Sequence, residues 1–389
     1  MNLYDQSYNS HILSFDPVYR PHLLNPPPMP DPSKGGLPFD PVFKAEPGVR
    51  GLEDGGIALS VFLPKAEKVT VRIGEKNIIA ELKKGDDGYF RAEVKEIEPG
   101  FHYVFFNVDG VSYLHPELPI GYGYGFAVNF IDIPGEEDYY LLKDVPHGAL
   151  TLEQYKSSIN GRFRACWVYT PPRYFEEPEK RYPVLYIQHG GGENETGWFW
   201  QGKIHYILDN LIAEGACEEM IIVTNAGNAY KELEPDVFTD ADASDIIVKE
   251  CVPFIDGKYR TLADAHHRAI AGLSMGGGMA RHIAHRHPDI FKNVGVFSSG
   301  QGFMVKGSSQ GVTFDYSELF STPEHYNAIM DVTFVMCGDR DMRHTYTSEQ
   351  AGGLTEKGYN VVYKEYPGGH EWNVWRLAAR DFMKMIFRK

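Results

Sequence analysis

Short apolar runs alternate with helix-like segments through the second half of this chain. The runs 184–188 (VLYIQ) and 332–338 (VTFVMCG) are strand-like, and 220–223 (MIIV) is typical of a parallel strand that is buried on both faces. Between such runs, segments such as 279–287 (MARHIAHRH) fit a helix. Strands that alternate with helices over ~240 residues predict an α/β fold with a doubly wound, mostly parallel sheet.

Residues 46–137 follow a different pattern, of short segments in which apolar and polar side chains alternate. In 69–73 (VTVRI) an apolar residue recurs at every second position, which predicts a strand with one buried face. Turn signals separate the segments, among them 85–88 (GDDG) and 109–110 (DG). Several strands at this spacing predict a small all-β sandwich of the immunoglobulin-like class.

The domain organisation predicted from these patterns has three parts. Residues 1–45 are rich in proline and turn formers, so they are expected to be a leader or an extended strap without regular structure of its own. Residues 46–137 are expected to form the sandwich, and residues 146–389 the α/β domain, with a linker between them. The chain contains no internal repeat.

Charge and composition exclude several classes of function. The formal net charge of −15 argues against nucleic acid and an anionic membrane surface as partners, because both select basic patches. No stretch reaches the ~18 apolar residues of a membrane span, and the first residues lack the pattern of a signal peptide. The protein is therefore expected to be cytoplasmic, or secreted with a signal peptide already removed. The cysteines are scattered and no HExxH spacing occurs, so no metal and no cofactor are expected.

The motif 272–276 (GLSMG) carries the strongest chemical signal, because it places Ser274 between an apolar strand and a helix. Such a turn lifts the serine oxygen clear of the sheet, and its glycines allow close backbone approach. The motif 307–311 (GSSQG) fits the same letters around Ser309, but no strand leads into it and no apolar helix leaves it. The context therefore favours Ser274 as the nucleophile.

A serine nucleophile needs a base, and in this fold class the base follows the acid along the chain. His370 lies in a glycine-rich turn between the strand-like segment VVYKEY and a final helix, where this fold places the base. His325 and His344 are alternatives. Three more histidines are expected to be solvated residues of the helix after the elbow: His282, His285 and His287. His370 is therefore the predicted base.

The acid is expected on a loop that follows an earlier strand, and the segment 332–341 (VTFVMCGDRD) supplies both a strand and two aspartates. Its task is to hold the imidazole tautomer and to stabilise the cationic form of the ring. Asp341 is the preferred candidate and Asp339 the alternative. Whichever of the two is not the acid is expected to cap or brace the loop.

The oxyanion of an acyl-transfer reaction needs hydrogen-bond donors of its own. The segment 189–192 (HGGG) ends an early predicted strand and matches the pattern of an oxyanion loop. The predicted donors are the backbone N–H of Gly191 and that of Met275, directly after the nucleophile. His189 itself is expected to be structural. The loop lacks the lysine of a phosphate-binding loop, so the oxyanion interpretation is favoured.

Together, the segments YPVLYIQHGGGENETGW, RAIAGLSMGGGMA, HPDIFKNVGVFSSG, CGDRD and GGHEWNVWR resemble the feruloyl and acetyl-xylan esterases of carbohydrate esterase family one. The resemblance runs from 146 to 389 with the motifs in order. The upstream segment resembles the glycogen-binding-type, early-set immunoglobulin module that precedes the esterase in several such proteins. The resemblance implies an α/β-hydrolase fold with Ser274 as nucleophile, His370 as base and Asp341 as acid.

The same resemblance makes the backbone N–H groups of Gly191 and Met275 the oxyanion donors. Aromatic residues beside these motifs are candidates to contact the substrate, with core packing as an equal alternative for each of them. These candidates are three tryptophans: Trp198, Trp200 and Trp372. The resemblance calls for neither a metal nor a cofactor.

The function that the resemblance implies is that of a feruloyl esterase, which cleaves the ester between a hydroxycinnamate and an arabinose of xylan through an acyl-enzyme. Acetyl-xylan esterase or enterochelin-like siderophore esterase is the alternative, because one triad serves all three and pocket shape separates them. Two other classes stay open: a carbohydrate-binding protein that has lost activity, and an acyltransferase that excludes water. The expected partner is feruloylated xylan or a xylo-oligosaccharide, and a homo-oligomer is left open.

Overall fold

The computed structural model describes residues 48–388, apart from 53–55, 75–76, 117, 134, 228–239, 300–304 and 310–311. The chain divides into two compact units. The first comprises the described residues up to Gly121 together with Ala127–Asp138, and the second comprises Tyr122–Phe126 and the chain from Tyr139 onward. The leader predicted at residues 1–45 lies outside the described residues.

The first unit is built on one antiparallel sheet in the order β1-β2-β5-β4-β3-β6-β9-β8, with β7 paired to β6. No helix is found among its described residues. Its all-β character fits a sandwich. The strands are β1 Val49–Gly51, β2 Ile57–Phe62, β3 Val69–Ile73, β4 Ile78–Lys84, β5 Tyr89–Val94, β6 Gly100–Val108, β7 Val111–Tyr113, β8 Ile120–Gly123 and β9 Phe126–Ile133.

Strand β3 shows why the sequence of the first unit folds in this way. Its apolar residues Val69, Val71 and Ile73 are fully buried in the core of the unit, while the polar residues between them are only half-buried, as the period-two pattern predicts. The turn predicted at Asp109 and Gly110 joins β6 to β7, and both residues adopt positive φ, as a tight hairpin requires. Local pattern and turn chemistry therefore account for this part of the sheet.

The second unit contains a mixed sheet in the order β10-β11-β13-β12-β14-β15-β18-β19, in which β10 and β11 are antiparallel and the strands from β13 onward are parallel. A separate hairpin pairs β16 with β17. The strands are β10 Ala149–Lys156, β11 Phe163–Thr170, β12 Val184–Gln188, β13 Ile221–Asn225, β14 Arg268–Leu273, β15 Asn293–Phe297, β16 Lys306–Ser309, β17 Val312–Asp315, β18 Val332–Gly338 and β19 Val361–Tyr366.

Helices cover both faces of this sheet. On one face Ile270 of β14 and Val294 of β15 share a core with Ile283 of α5; on the other, the ring of Phe297 lies 6.0 Å from that of Phe382 in α8. No helix of the described residues is long and apolar enough to cross a bilayer. The helices are α1 Gly197–Trp200, α2 Ile204–Ala213, α3 Asp240–Ile246, the π-helical segment Ile247–Cys251, α4 Val252–Lys258, α5 Met275–Arg286, α6 Pro323–Ile329, α7 His344–Glu356 and α8 Trp372–Met385.

Two histidines of α5 contradict the expectation that they are solvated. His282 and His285 are only 8% and 5% exposed. The Nδ1 atom of His282 lies 2.7 Å from the hydroxyl oxygen of Tyr316, and the ring of His285 packs edge-on against those of Tyr316 and Phe320. The chain that follows β17 therefore covers the outer side of α5. Burial lowers the pKa of His282 to about 4 and that of His285 well below its usual value, so both rings are neutral at pH 7.

These neutral rings make the stability of the second unit dependent on pH. In the unfolded chain a histidine binds a proton as the pH falls through about 6.5, whereas folded His282 resists protonation until about pH 4. The free energy of unfolding should therefore fall between pH 6.5 and pH 4, by on the order of 3 kcal/mol for this one residue. Urea unfolding at several pH values measures the loss.

The variant His282→Gln should reduce this pH dependence by the share of His282, because it removes one proton that only the unfolded state takes up, while His285 and His189 keep theirs. His325→Gln is the matched control, since His325 is exposed on α6. An unchanged pH dependence in His282→Gln, with both variants folded at pH 8, would show that the imidazole of His282 is not held in its neutral form.

Candidate active site

Ser274 lies in the turn between β14, which ends at Leu273, and α5, which begins at Met275. Its backbone has φ +52° and ψ −115°, a conformation that costs free energy for a residue with a side chain. The N–H of Ser274 donates to the carbonyl of Phe297 at 2.7 Å, which ties the turn to the neighbouring strand. The serine is half-buried at the start of a helix. This is the strand–turn–helix geometry that the motif predicts.

The two glycines of the motif are required by close backbone approach. A Cβ atom at Gly276 would come within 2.4 Å of the carbonyl oxygen of His189, and one at Gly272 would come within 2.4 Å of the Gly276 backbone. Such separations are far inside van der Waals contact, so any side chain would push the turn away from β12. The elbow and the end of β12 are therefore packed backbone against backbone.

The loop His189–Gly192 begins where β12 ends, directly beside the serine. A Cβ atom at Gly190 would lie 3.6 Å from that of Ser274. The N–H of Gly190 donates to the carboxylate of Glu193 at 3.0 Å, which closes the loop on itself. Gly191 is exposed, and a Cβ atom there would meet nothing within 4 Å, so its backbone faces open space. The two predicted oxyanion donors, Gly191 and Met275, thus belong to segments that flank Ser274.

His189 is a buried brace of this loop. Its ring is 2% exposed, and burial lowers its pKa to about 4, so it is neutral at pH 7. Its Nδ1 lies 2.8 Å from the carbonyl oxygen of Gly190 and its Nε2 lies 2.9 Å from the N–H of Gly227. A carbonyl only accepts and an N–H only donates, so Nδ1 carries the proton and Nε2 accepts. Both ring nitrogens are used in holding loops together, in agreement with the structural role expected from the sequence.

His370 and Asp341 lie in contact after the last two strands of the sheet. The Nδ1 atom of His370 is 2.7 Å from a carboxylate oxygen of Asp341, whose side chain is fully buried. Asp339 points elsewhere and accepts the N–H of Gly368 at 2.8 Å, so it braces the turn that carries the histidine. The parallel strands β14, β18 and β19 have their carboxyl ends on the same side of the sheet. Ser274, Asp341 and His370 follow these ends and therefore lie on that side.

Arg343 is a charged neighbour of this pair that sequence reasoning missed. Its backbone N–H donates to Asp341 at 3.0 Å, and its guanidinium Nη1 lies 3.4 Å from Asp341 and 3.3 Å from His370 Nδ1. Burial opposes ionisation of Asp341, but its hydrogen bond to His370 and the nearby charges outweigh this and lower its pKa to about 2. The only signal in the sequence was a cation two residues after the predicted acid.

The three tryptophans proposed as substrate contacts lie in different environments. Trp198 and Trp372 are each 1% exposed and pack edge to face with ring centroids 5.1 Å apart, and the indole N–H of Trp198 donates to the carbonyl of Gln188 at 2.8 Å. Such burial leaves neither ring a surface to offer a substrate, so core packing is the better interpretation for both. Trp200 is half-buried and lies against Trp167, with centroids 6.4 Å apart.

The side chains of the remaining candidates have other partners or surroundings, although the backbone N–H of His344 donates to the carbonyl of Asp341 at 2.9 Å. Ser309 is the last residue of β16, and the next described element is the strand β17, where the elbow motif would need a helix. His344, at the start of α7, contacts the carboxylate of Glu365, and His325 is exposed on α6. Across the described residues, no three His, Cys, Asp or Glu side chains gather as a metal-binding cluster.

The site combines a serine on a tight elbow, a glycine-rich loop beside it, and a His–Asp pair that follows strands ending on the same side of the sheet. This arrangement is that of the α/β-hydrolase class. Solved structures of that class share this fold, as described below. Residues 157–380 match the model of a family described as putative esterase, and the chain belongs to this esterase family.

Individual relatives place the chain within that family. An endo-1,4-beta-xylanase/feruloyl esterase of Xylanibacter ruminicola is 31% identical over 345 residues, which cover 86% of this chain and 45% of the relative. The chain thus spans less than half the length of that relative. A solved ferulic acid esterase is 28% identical with a TM-score of 0.54, over 63% of this chain and 99% of the other. The enterobactin esterase of Shigella flexneri, at 14% identity and a TM-score of 0.62 over 87% of this chain and 96% of the other, shows likeness of fold alone.

The two aspartates of the β18 loop provide a matched test of the site. Asp341→Asn should lower kcat for p-nitrophenyl acetate by about 10⁴-fold, because the amide no longer holds the imidazole in the productive tautomer. Asp339→Asn should retain most of the activity, because its carboxylate contacts a backbone amide and not the histidine. Steady-state rates measure both, with circular dichroism to show that each variant is folded. The reverse order of activities would assign the acid to Asp339.

Proposed function

We propose that this protein is a serine carboxylic-ester hydrolase that releases hydroxycinnamates, such as ferulate and p-coumarate, from arabinoxylan. The observation that carries the proposal is the His370–Asp341 contact of 2.7 Å at the sheet edge from which Ser274 is presented. The names of two relatives, a xylanase/feruloyl esterase and a ferulic acid esterase, support the acyl group and the polysaccharide.

The first half of the proposed reaction acylates the serine. Ser274 Oγ attacks the ester carbonyl while His370 Nε2 accepts its proton, and Asp341 stabilises the imidazolium through Nδ1–H. The negative charge on the tetrahedral oxygen is bound by the N–H groups of Gly191 and Met275, which are worth roughly 3 kcal/mol each to the barrier. His370 then protonates the arabinose oxygen as the C–O bond breaks, which leaves the hydroxycinnamoyl group on Ser274.

The second half hydrolyses this acyl-enzyme. Water attacks the acyl carbonyl and gives a proton to His370, and the same two amides bind the second oxyanion. Return of the proton to Ser274 Oγ releases the free acid. Arg343, within 3.5 Å of both Asp341 and His370, positions the pair. The pKa of Asp341 is held low against the effect of burial, first by the hydrogen bond to His370 and to a smaller extent by Arg343.

We further propose that the sandwich at residues 46–137 is an immunoglobulin-like module and that the esterase domain spans 146–389. An all-β, antiparallel first unit and a family match over 157–380 support this division. Feruloylated xylan or a xylo-oligosaccharide is the proposed partner of the esterase domain. Acetyl-xylan or siderophore esterase activity is less favoured, because the more similar relatives carry the feruloyl name and the enterobactin esterase shares the fold alone.

A substrate panel tests the proposed function. Methyl ferulate, methyl p-coumarate, acetylated xylan and a siderophore trilactone are offered to the wild-type protein and to Ser274→Ala, with release of each acid followed by chromatography. We expect the hydroxycinnamates to be hydrolysed with the highest kcat/KM, and Ser274→Ala to lose on the order of 10⁵-fold in kcat.

Three outcomes would contradict the proposal in different ways. Wild-type rates in Ser274→Ala would remove the serine from the mechanism. Preference for the acetyl or the trilactone substrate would keep the mechanism and change the acyl group. Transfer of feruloyl to an added alcohol faster than to water would indicate an acyltransferase.

A further inference from the structure

The hairpin of β10 and β11 has one face on the core and one on solvent. The side chains of Cys166 and Val168 are fully buried, whereas those on the opposite face of the two strands are exposed or half-exposed, apart from Tyr169 at the end of β11, which is buried. An antiparallel edge of this kind usually has polar residues on its solvent side. Here that side carries Leu152 and Phe163, which are 47% and 77% exposed, and Trp167, which pairs with Leu152 across the two strands.

We define the aromatic strip as Trp200, Trp167, Leu152 and Phe163. Strand register places Leu152 beside Trp167, with Phe163 further along the same face of β11, and the ring of Trp200 lies 6.4 Å from that of Trp167. Lys156, the residue opposite Phe163, holds its ammonium 4.9 Å from the centre of the Phe163 ring. On the same face, the exposed Gln154 and the half-buried Ala165 lie between Phe163 and the Leu152–Trp167 pair, so the four side chains form an apolar strip that one polar side chain interrupts.

The Phe163 end of the aromatic strip lies on the side of the sheet where the parallel strands have their carboxyl ends, the side that also presents Ser274. Trp167 pairs with Thr224, and Cys166 pairs with Asn225, the last residue of β13. The residues of β11 from Ala165 back to Phe163 therefore run past the end of β13, on the side where the parallel strands have their carboxyl ends. The hydroxyl of Thr224 also donates to the carbonyl of Glu195 at 2.6 Å, which ties this register to the chain that follows the oxyanion loop.

We propose that the aromatic strip binds sugar units of the polysaccharide main chain while the ester of a side group is cleaved at Ser274. This inference rests on the proposed function, because it assumes an ester that is attached to xylan. Aromatic faces suit the C–H faces of neutral sugars. The four residues of the strip are uncharged, and Lys156 adds a cation beside Phe163. The strip runs outward from Trp200, on the helix directly after the oxyanion loop, so a bound chain leads towards the site.

The size of the aromatic strip favours an oligosaccharide over a second copy of this chain. Side chains of this kind bury roughly 150–250 Å² each when covered completely, so the strip at its observed exposures offers on the order of 300 Å². A stable protein interface takes roughly 800 Å² from each partner. The strip alone is therefore too small for a dimer contact and is suited to a few sugar units.

Variants of two exposed residues test the strip without disturbing the core. Phe163→Ala and Leu152→Ala each remove an exposed side chain, and Phe175→Ala is the matched control. Phe175 is 73% exposed, close to the 77% of Phe163, but it follows the other end of β11. Each substitution is made in the wild-type protein for kinetics and in Ser274→Ala for binding to soluble arabinoxylan, measured by retardation in native gels.

We expect Phe163→Ala and Leu152→Ala to weaken arabinoxylan binding roughly three- to tenfold, as one lost aromatic or apolar contact would. They should lower kcat/KM on feruloylated arabinoxylan by a similar factor, with kcat/KM on methyl ferulate unchanged. Phe175→Ala should match its parent in both assays. Equal retardation of all variants by arabinoxylan would overturn the inference.

Two further outcomes separate the inference from the proposed function. In the first, arabinoxylan retards the protein in a way that depends on Phe163, but the protein hydrolyses no hydroxycinnamate ester. This result would overturn the proposed function and leave the strip as a polysaccharide site. In the second, analytical ultracentrifugation shows that Phe163→Ala converts a dimer to a monomer. This result would assign the strip to a contact between two copies of the chain and overturn the inference.

Discussion

Backbone-on-backbone contact at the nucleophile turn is the constraint on which the rest of the site depends. Gly276 packs against the end of β12 with no room for a side chain, and Gly272 packs in the same way against Gly276. These contacts bring the loop that begins at His189 to the strained serine and fix the start of α5 beside it. Because backbone rather than flexible side chains makes the junction, the donors of both segments are held without a loss of side-chain entropy.

A second glycine junction builds the other half of the site by the same means. A Cβ atom at Gly338, where β18 ends, would lie 2.4 Å from the carbonyl oxygen of Gly368, in the turn that leads to His370. Asp339 adds a hydrogen bond to that turn at 2.8 Å. Asp341 and His370, the proposed acid and base, are thus brought together by the packing of their loops, within which they make their own contact of 2.7 Å. A side chain introduced at Gly338 or Gly368 should therefore separate Asp341 from His370, although neither of these two residues is itself changed.

The parts of this structure that could be predicted from the sequence are those governed by local rules. Strand β3, the turn at Asp109 and the strand–turn–helix at Ser274 each follow from a few adjacent residues. The burial of His282 and of two tryptophans depends on segments far apart in the chain. The contact of Arg343 with Asp341 joins residues only two apart, but it depends on how their loop turns, which the residue types do not show. A helix with three histidines looks polar by pattern, and only the chain after β17 makes its outer side part of the core.

The difference between His189 and His370 shows how position and environment divide similar residues into separate roles. Both follow a strand at the same edge of the sheet and both neighbour glycines. His189 is buried, with both nitrogens committed to backbone groups, so protonation would cost it a hydrogen bond as well as desolvation. His370 is half-exposed, and its Nδ1 contacts a carboxylate that stabilises the cationic ring. A histidine that accepts and returns a proton in each catalytic cycle needs the second environment, which supports His370 after β19 as the proposed base and His189 after β12 as a brace.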